Sequence, residues 1–403
     1  MIEVPRTTPF HPRTAPLCVS RAWRRWAGYA VASSYELLHD REYHAIRNSA
    51  ALIDVSPLYK YLVTGRDAAH LLDRVVTRAV PAMKVGQVLY TTWCDAAGKV
   101  IDDGTLARLA EDRFRLTSAE PNLRWLSLNA AGLDVTIQDV SDTTAAVALQ
   151  GPLARTILQQ CTEADVAGLK YFRLIHGSIR GIDVAISRTG YTGDLGFEIW
   201  AAAVHAVPLW DALRAAGADY GLTPAGILAL DLARVEAALM LQDVDYISAH
   251  RALIESQKSS PFELNLGWTV DLAKERFVGH DALAAERARG EADGAWRFVG
   301  IEAEWDSLER LFAEVGLPPR LPTQAWRTSV PVTAGGTQVG YATSGCWSPL
   351  LKKSIALAHV PAEYAVAGTR LGIEVTVEHH RRQAAARVVP TPFFDPPRKR
   401  GSA

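Results

Sequence analysis

The sequence carries no excess of charge of either sign: 43 Lys and Arg side chains stand against 44 Asp and Glu, for a net charge of −1. Proteins that hold nucleic acids through phosphate contacts normally have a basic excess, so this balance argues against nucleic-acid binding. Long hydrophobic runs are missing too. Residues 145–149 form one of the longest, far short of the roughly 20 apolar residues that span a bilayer. Because the N-terminus also lacks a signal-peptide pattern, we expect a soluble, cytoplasmic protein with no membrane partner.

Cysteine is scarce as well. The four cysteines, at positions 18, 94, 161 and 346, form no Cys-x-x-Cys pair, so neither a disulfide framework nor a thiolate metal site is predicted. The dinucleotide loop GxGxxG, the phosphate loop GxxxxGK[ST], the zinc motif HExxH and the hydrolase motif GxSxG are also absent. We therefore predict no metal site, and neither a flavin nor a nicotinamide cofactor.

The length and composition are those of a globular protein, with 403 residues, 48% hydrophobic and 22% charged. At about 150 residues per domain, this length predicts two or three domains. Four prolines within residues 5–16 predict an irregular start, and helices and strands alternate from there to about residue 240. After a glycine-bounded linker at residues 290–294, short strands recur every 8–12 residues or so, which predicts a small β-barrel or sandwich.

A pair of adjacent acids, Asp102 and Asp103, enters a strand predicted at residues 100–109. Neighbouring side chains in a strand point to opposite faces, so one carboxylate can face a pocket while the other faces solvent. From the residues alone, a turn with two solvated acids is the favoured interpretation.

A glycine-rich loop spans residues 190–196, and Glu198 lies on the strand that follows it. Glycine lets a backbone approach a flat ligand closely, and a carboxylate at Glu198 can accept paired hydrogen bonds from an amino-pyrimidine edge. An ordinary glycine hairpin also explains this spacing.

Several segments occur in the order typical of one known family. They are residues 53–56 (IDVS), 100–103 (VIDD), 149–152 (LQGP), 190–199 (GYTGDLGFEI), 232–237 (LARVEA), 277–283 (FVGHDAL) and 343–358 (TSGCWSPLLKKSIALA). Together they resemble the aminomethyltransferase family, which contains the T-protein of the glycine cleavage system and the tetrahydrofolate-dependent demethylases. Because the ordered matches extend over about 300 residues, the chain is identified as a member of this family.

The resemblance implies an α+β fold in the form of a three-lobed ring, with two intertwined α+β lobes around a folate channel and a C-terminal β-barrel. Residues 1–288 would form the folate-binding region, with one lobe made of roughly residues 1–50 and 143–270 and the other of residues 51–142. Residues 295–390 would form the barrel. Residues 391–403 would form a basic tail, which we expect to lie over the surface.

The resemblance also implies tetrahydrofolate as the cofactor. Glu198 would bind the pterin amino group and the neighbouring ring nitrogen, Tyr191 would line the pocket, and two further side chains would form apolar walls. The predicted folate-binding residues are, in chain order, Leu58, Tyr90, Tyr191, Glu198 and Arg234.

Asp103 matches the family's catalytic aspartate, beside the folate nitrogens that receive the one-carbon unit. A tetrahydrofolate amine is a modest nucleophile, so the enzyme must orient it, manage its proton and shield the reaction from water. Asp102, on the opposite face of the strand, is expected to be a structural or solvated neighbour.

Some positions differ from the T-protein. Its A-R-D before the 232–237 segment becomes Ala229-Leu230-Asp231, and its F-D-V-S-H-M becomes IDVSPL at residues 53–58. Residues 8–29 resemble instead the demethylases of sulfonium compounds and aryl methyl ethers. These differences favour a one-carbon transferase that moves a methyl or methylene group from a small methylated or aminomethyl donor to tetrahydrofolate.

Two alternatives stay open. One is the glycine cleavage aminomethyltransferase itself, which acts on a lipoyl carrier protein, here the less favoured partner. The other is a non-catalytic folate-binding factor of iron–sulfur cluster assembly. It ranks last, because residues 275–280 lack the cysteine and the glutamine of that group's K-G-C-Y-x-G-Q motif.

Overall fold

The structure is a computed structural model that describes residues 5–290 and 295–401. Within these ranges the chain forms nine α-helices: α1 (His11–Leu17), α2 (Asp40–Asn48), α3 (Ala68–Val75), α4 (Leu123–Asn129), α5 (Ala154–Gln159), α6 (Ala206–Ala216), α7 (Ile227–Glu236), α8 (His280–Arg289) and α9 (Trp305–Ala313).

The same ranges hold twenty β-strands: β1 (Arg6–Thr7), β2 (Trp23–Trp26), β3 (Tyr29–Ala32), β4 (Ala51–Asp54), β5 (Tyr59–Thr64), β6 (Val88–Cys94), β7 (Val100–Ala110), β8 (Arg113–Ser118), β9 (Thr136–Asp139), β10 (Thr144–Gln150), β11 (Leu174–Ile179), β12 (Ile182–Ser187), β13 (Gly196–Ala202), β14 (Thr223–Pro224), β15 (Trp296–Ala303), β16 (Val330–Ala334), β17 (Thr337–Ser348), β18 (Lys353–Pro361), β19 (Arg370–Val377) and β20 (His380–Val389).

Two sheets of the first 290 residues face each other. One has six strands in the order β11-β12-β13-β10-β4-β14, and the other has five in the order β6-β7-β8-β5-β9. Val88 and Ala107 of the five-stranded sheet pack against Leu174 and Ala185 of the six-stranded sheet. Side chains that share a face with these four residues therefore point into the space between the sheets.

The C-terminal part is a closed six-stranded barrel in the order β15-β18-β17-β16-β19-β20. The barrel closes because β15 pairs with both β18 and β20. Alternating inward residues such as Leu371 and Ile373 are buried in its core. The predicted α+β fold with a C-terminal β-barrel is confirmed, and of the predicted linker, residues 291–294 lie outside the described residues.

Two expectations need correction. The expectation of an irregular start is wrong for residues 6–32, which form α1 and a three-stranded sheet in the order β1-β3-β2. Pro12 does not prevent α1, since it lies in the first helical turn, where its missing N–H costs nothing. Strand β4, which the predicted division placed in the second lobe, pairs with β10 and β14, so Ala51–Asp54 belongs with the six-stranded sheet.

Helix α7 is buried along its whole length although it carries Asp231, Arg234 and Glu236. Glu236 accepts hydrogen bonds from Tyr43 at 2.5 Å and Arg47 at 2.6 Å, both on α2, and from Ser348 of the barrel at 2.5 Å. The helix therefore binds α2 and the barrel through the same carboxylate.

The C-terminal strap, residues 394–401, docks against the glycine-rich loop. Arg398 donates two hydrogen bonds to the buried carboxylate of Asp194, at 2.7 and 2.8 Å. Arg188, which precedes the loop, donates to the carbonyl of Gly401 at 2.6 Å. The tail thus makes specific contacts with the loop that carries Tyr191, beyond lying over the surface.

We expect Arg398→Met to lower the free energy of unfolding by about 1–2 kcal/mol, because it removes a charge-assisted pair from a buried carboxylate, although the arginine itself is partly screened by solvent. The matched control is Arg400→Met, whose partner Asp395 is more accessible and whose loss should cost less than about 1 kcal/mol. Urea unfolding of both variants gives the comparison. Equal losses would contradict a structural role for the strap at Asp194.

Candidate functional site

The adjacent acids of β7 lie on opposite faces of the five-stranded sheet. Asp102 is fully buried and accepts hydrogen bonds from the backbone N–H of Asp103 at 2.8 Å, the backbone N–H of Glu120 at 3.2 Å and the side-chain amide of Asn122 at 2.8 Å. Asp103 shares the other face with Thr105 and Ala107, the face that lies opposite the six-stranded sheet. The structure therefore places Asp103, and not Asp102, in the space between the sheets.

Two tyrosines hold the carboxylate of Asp103. Tyr90, on β6, donates to Oδ2 at 2.8 Å, and Tyr246, in the chain after α7, donates to Oδ1 at 2.5 Å. The ring of Tyr90 stacks on Trp268 with 5.8 Å between ring centroids. Burial raises the pKa of Asp103, and the bonds from Tyr246 and Tyr90 oppose that rise. The result is a partly accessible acid in one fixed orientation.

The glycines of the 190–196 loop are required for packing, which differs from the expected reason. A Cβ on Gly190 or Gly196 would lie 2.1 or 2.2 Å from Oε1 of Gln150, and one on Gly193 would lie 2.3 Å from Cβ of Ala237. Gly193 also has a positive φ of 72°. The loop is therefore pressed against β10 and the end of α7, and these contacts fix the strand that follows.

Glu198 lies on that strand, β13, between the fully buried side chains of Phe197 and Ile199. Its own side chain is partly accessible, and its Oε2 accepts a hydrogen bond from Thr189 at 2.5 Å. Among the described residues no hydrogen bond reaches Oε1. Burial raises the pKa of Glu198, while the Thr189 bond and the charge of Arg115 oppose the rise.

Leu58 and Tyr191 are partly buried and pack against the same apolar cluster. The hydroxyl of Tyr191 donates to the backbone carbonyl of Met240, which leaves the ring as a wall. Burial raises the pKa of Tyr191, and the charge of Asp103 adds to that rise, so Tyr191 lies within electrostatic reach of the acid.

Arg234 lies deeper than the other predicted residues and is almost fully buried. Its guanidinium donates to Asp245 at 2.6 Å, Asp231 at 3.0 Å and the hydroxyl of Ser344 at 2.8 Å. Because these partners belong to α7, the following loop and the barrel, the contacts support a role in joining these parts more than a direct contact with a ligand.

The structure thus brings Tyr90 into contact with Asp103 and places Tyr191 within electrostatic reach of that acid. Leu58 shares an apolar cluster with Tyr191, and Glu198 lies on the opposing sheet. Sequence reasoning missed Tyr246, which lies in irregular chain, and Trp268, which lies in a three-residue 3₁₀ turn too short to show a periodic pattern. Arg115 was also missed, since a charged residue at alternate positions of Arg113–Ser118 looks like a solvated strand face.

The chain resembles known proteins over almost its whole length. Residues 14–274 match the family profile described as GCVT N-terminal domain, and residues 315–395 match that of the glycine cleavage T-protein C-terminal barrel domain. The aminomethyltransferase of Halalkalibacterium halodurans is 35% identical over 382 residues, which cover 94% of each chain. The chain belongs to the glycine cleavage T-protein family.

Two further comparisons agree with this family assignment. The aminomethyltransferase of Geobacillus thermodenitrificans is 36% identical over 359 residues, which cover 88% of this chain and 89% of that protein. The crystal structure of glycine cleavage system aminomethyltransferase T from Bartonella henselae matches with a TM-score of 0.81 and 24% identity, over 97% of this chain and 98% of that one. At this identity, the structural likeness concerns the fold.

As a member of this family, the protein is an enzyme, a transferase. The curated relatives are named aminomethyltransferases, which supports the glycine cleavage alternative better than the demethylase interpretation that the sequence differences favoured. In the part of the chain that the structure describes, no helix has the length and apolar character needed to traverse a bilayer.

Tyr246→Phe tests the hydrogen bond from Tyr246 to the carboxylate of Asp103. Removal of a donor from the carboxylate raises the pKa of Asp103, so the acid limb of the pH–rate profile should shift to higher pH, with a smaller change in rate on the alkaline side. Tyr220→Phe is the control, because Tyr220 bonds Gln160 at the surface and should leave the profile unchanged. An unshifted acid limb in Tyr246→Phe would show that this bond does not set the titration.

Proposed function

We propose that the protein is a tetrahydrofolate-dependent aminomethyltransferase whose site lies between the two facing sheets. The observation that carries this proposal is a pair of oriented, partly accessible carboxylates on opposing sheets, Glu198 fixed by Thr189 and Asp103 fixed by two tyrosines. Active sites characteristically hold acids whose pKa is raised by partial burial, and the pKa of both carboxylates is raised in this way.

The residues at Glu198 fit a pterin. A pterin presents an amino group and a ring N–H side by side, and a carboxylate accepts such a pair well. Thr189 occupies one carboxylate oxygen and fixes its direction, while Oε1 has no protein donor among the described residues. The flat ring of Tyr191 and the side chain of Leu58 offer apolar walls for a flat ligand.

Tetrahydrofolate, when bound, supplies the amine nitrogen that takes up the one-carbon unit. Asp103 would then accept and return the proton of that amine, since its carboxylate is held in one direction by Tyr90 and Tyr246. The surrounding burial would exclude water, which competes with the amine for the one-carbon unit.

The names of the relatives support an aminomethyl donor. A small methylated donor is the second candidate, and it is favoured by Leu230, which is buried and apolar where the T-protein pattern has an arginine. The positive charge of the T-protein pattern is therefore missing at this position.

One assay distinguishes these donors. Purified enzyme with tetrahydrofolate is given an aminomethylated lipoyl carrier protein, free aminomethyl dihydrolipoamide, or a panel of small N-, O- and S-methyl compounds, and the folate product is identified by mass spectrometry. Formation of methylene-tetrahydrofolate from either aminomethyl donor supports the proposal. Methyl-tetrahydrofolate from a small donor would establish the second candidate, and no folate product from any donor would refute both.

The two acids of β7 should respond differently to substitution. We expect Asp103→Asn to lower turnover by about 10²–10⁴-fold with little change in folate affinity, because a group that manages a proton acts mainly in the transition state. Asp102→Asn places an amide among three donors and should lower stability by about 1–3 kcal/mol, with the smaller effect on turnover of the folded enzyme. Single-turnover rates and urea unfolding separate the two effects. A larger loss of turnover in Asp102→Asn would overturn the assignment of Asp103.

Glu198→Gln should weaken tetrahydrofolate binding without lowering the stability of the protein. Loss of a charge-assisted acceptor weakens tetrahydrofolate binding at least about tenfold in calorimetry. Burial raises the pKa of Glu198, so the stability that its protonated form contributes is present below about pH 4.3 and lost as the pH rises through the raised value. Glutamine does not ionise, so the variant should be at least as stable as wild type at pH 7.

Glu309→Gln, on the exposed side of α9, is the control and should change neither affinity nor stability. Unchanged folate affinity in Glu198→Gln would rule out the pterin assignment.

A further inference from the structure

Arg115 is a buried cation that has no hydrogen-bonding partner in the part of the chain that the structure describes. It lies on β8 opposite Ala107 of β7, on the face that carries Asp103, and it is 7% exposed. Its Nε donates to no acceptor among the described residues. Its guanidinium carbon lies 3.8 Å from the ring centroid of Trp200, on β13 of the opposing sheet. Arg115 therefore spans the space between the sheets and stacks on the far side.

Lys60, a neighbouring buried cation, has the hydrogen-bond acceptors that Arg115 lacks. Its Nζ donates to the carbonyls of Ser56 at 2.6 Å, Leu58 at 2.7 Å and Ser141 at 3.3 Å. Arg115 has no such set. A buried charge that lacks hydrogen bonds is strongly destabilising, and stacking on Trp200 offsets only part of this. An acceptor that the protein itself does not provide would complete the site.

Glu198 is the nearest candidate partner, but the two groups do not pair. Arg115 and Glu198 interact electrostatically, yet they form no hydrogen bond and no ion pair within 4.0 Å. Both are anchored separately: Glu198 by Thr189, and Trp200 beneath Arg115 by a bond from its indole N–H to Ser187 at 3.3 Å. Burial lowers the pKa of Arg115 to about 10, so the guanidinium keeps its charge at neutral pH. A carboxylate and a guanidinium thus stand side by side without neutralising each other directly.

This arrangement matches the hydrogen-bonding edge of an oxidised or reduced 2-amino-4-oxopterin. That edge carries an amino group, then a ring N–H, then a carbonyl oxygen: two donors followed by one acceptor. We propose that Arg115 donates to the 4-oxo oxygen of the pterin while Glu198 accepts from the amino edge, so that Arg115 selects 4-oxo over 4-amino pteridines. This inference rests on the proposed function, and it makes Arg115 a specificity-determining residue supplied by the opposite sheet.

The test is a comparison of two ligands with matched variants, by anaerobic calorimetry. The ligands are tetrahydrofolate and its 2,4-diamino analogue, in which an amino group replaces the 4-oxo oxygen. Arg115→Met keeps an apolar stem over Trp200 without the charge, and Arg115→Lys keeps the charge without the planar donors. Arg113→Met, at the exposed start of the same strand, is the control. Thermal unfolding confirms that each variant is folded.

We expect Arg115→Met to weaken tetrahydrofolate binding roughly tenfold and to leave the diamino analogue unchanged or better bound, so that the affinity ratio of the two ligands falls about tenfold. The affinity ratio of Arg115→Lys should lie between those of wild type and Arg115→Met. If Arg115→Met does not fold, Arg115→Lys alone provides the test. Glu198→Gln should weaken the binding of both ligands, and Arg113→Met should change the binding of neither.

Two results would overturn the inference while leaving the proposed function intact. Equal losses for both ligands would mean that Arg115 only supports the site. Unchanged affinity for tetrahydrofolate together with a raised KM for the donor would mean that Arg115 binds an anionic group of the donor. Wild-type protein that binds no tetrahydrofolate would instead refute the proposed function, and the inference with it.

Discussion

The burial of three charges on one helix is the constraint on which the arrangement of the molecule depends. Helix α7 has no exposed residue, so Asp231, Arg234 and Glu236 must each find partners inside the protein. They find them in different parts of the chain: Arg327 near the barrel for Asp231, Ser344 of the barrel for Arg234, and Arg47 of α2 for Glu236. Arg47 also donates to the carbonyl of Thr192 in the glycine-rich loop. Because a misplaced partner would leave a buried charge unpaired, this network fixes the loop, the barrel and the N-terminal helices relative to one another.

The candidate site uses the geometry that this network fixes. The glycine-rich loop, held from one side by Gln150 and from the other by the C-terminal strap at Asp194, sets the start of β13 and thereby the direction of Glu198. The five-stranded sheet supplies Asp103 and Arg115 from the opposite side. Both carboxylates have a raised pKa because they are buried, so the ionised site is destabilising on its own. We infer that a bound flat ligand offsets this destabilisation, because donors and an acceptor on one edge of the ligand would form hydrogen bonds with groups from both sheets.

Much of this could be predicted from the sequence, and the exceptions have physical causes. The alternation in residues 100–109 correctly separates Asp102 from Asp103, since β7 has no irregularity between Asp103 and Ala107. The short strands of the C-terminal barrel are likewise predicted in outline, although their pairing is not fully regular, since the register shifts between Val332 and Thr333 and between Ala342 and Ser344. The ordered start of the chain was missed because Pro12 was counted as a helix breaker although it lies in the first turn of α1, where proline is tolerated, and because α1 continues past Pro16 to Leu17. Tyr246 and Arg115 make their contacts with strands far away in the sequence, and no local pattern encodes such contacts.

A crystal structure of the enzyme with bound tetrahydrofolate would test the central claim most directly, namely that one folate is held between the two sheets. The account predicts the pterin amino group within about 3 Å of the Glu198 carboxylate and the amine nitrogens of the folate on the side of Asp103. Folate bound elsewhere, or bound with its pterin ring directed away from Glu198, would contradict the account.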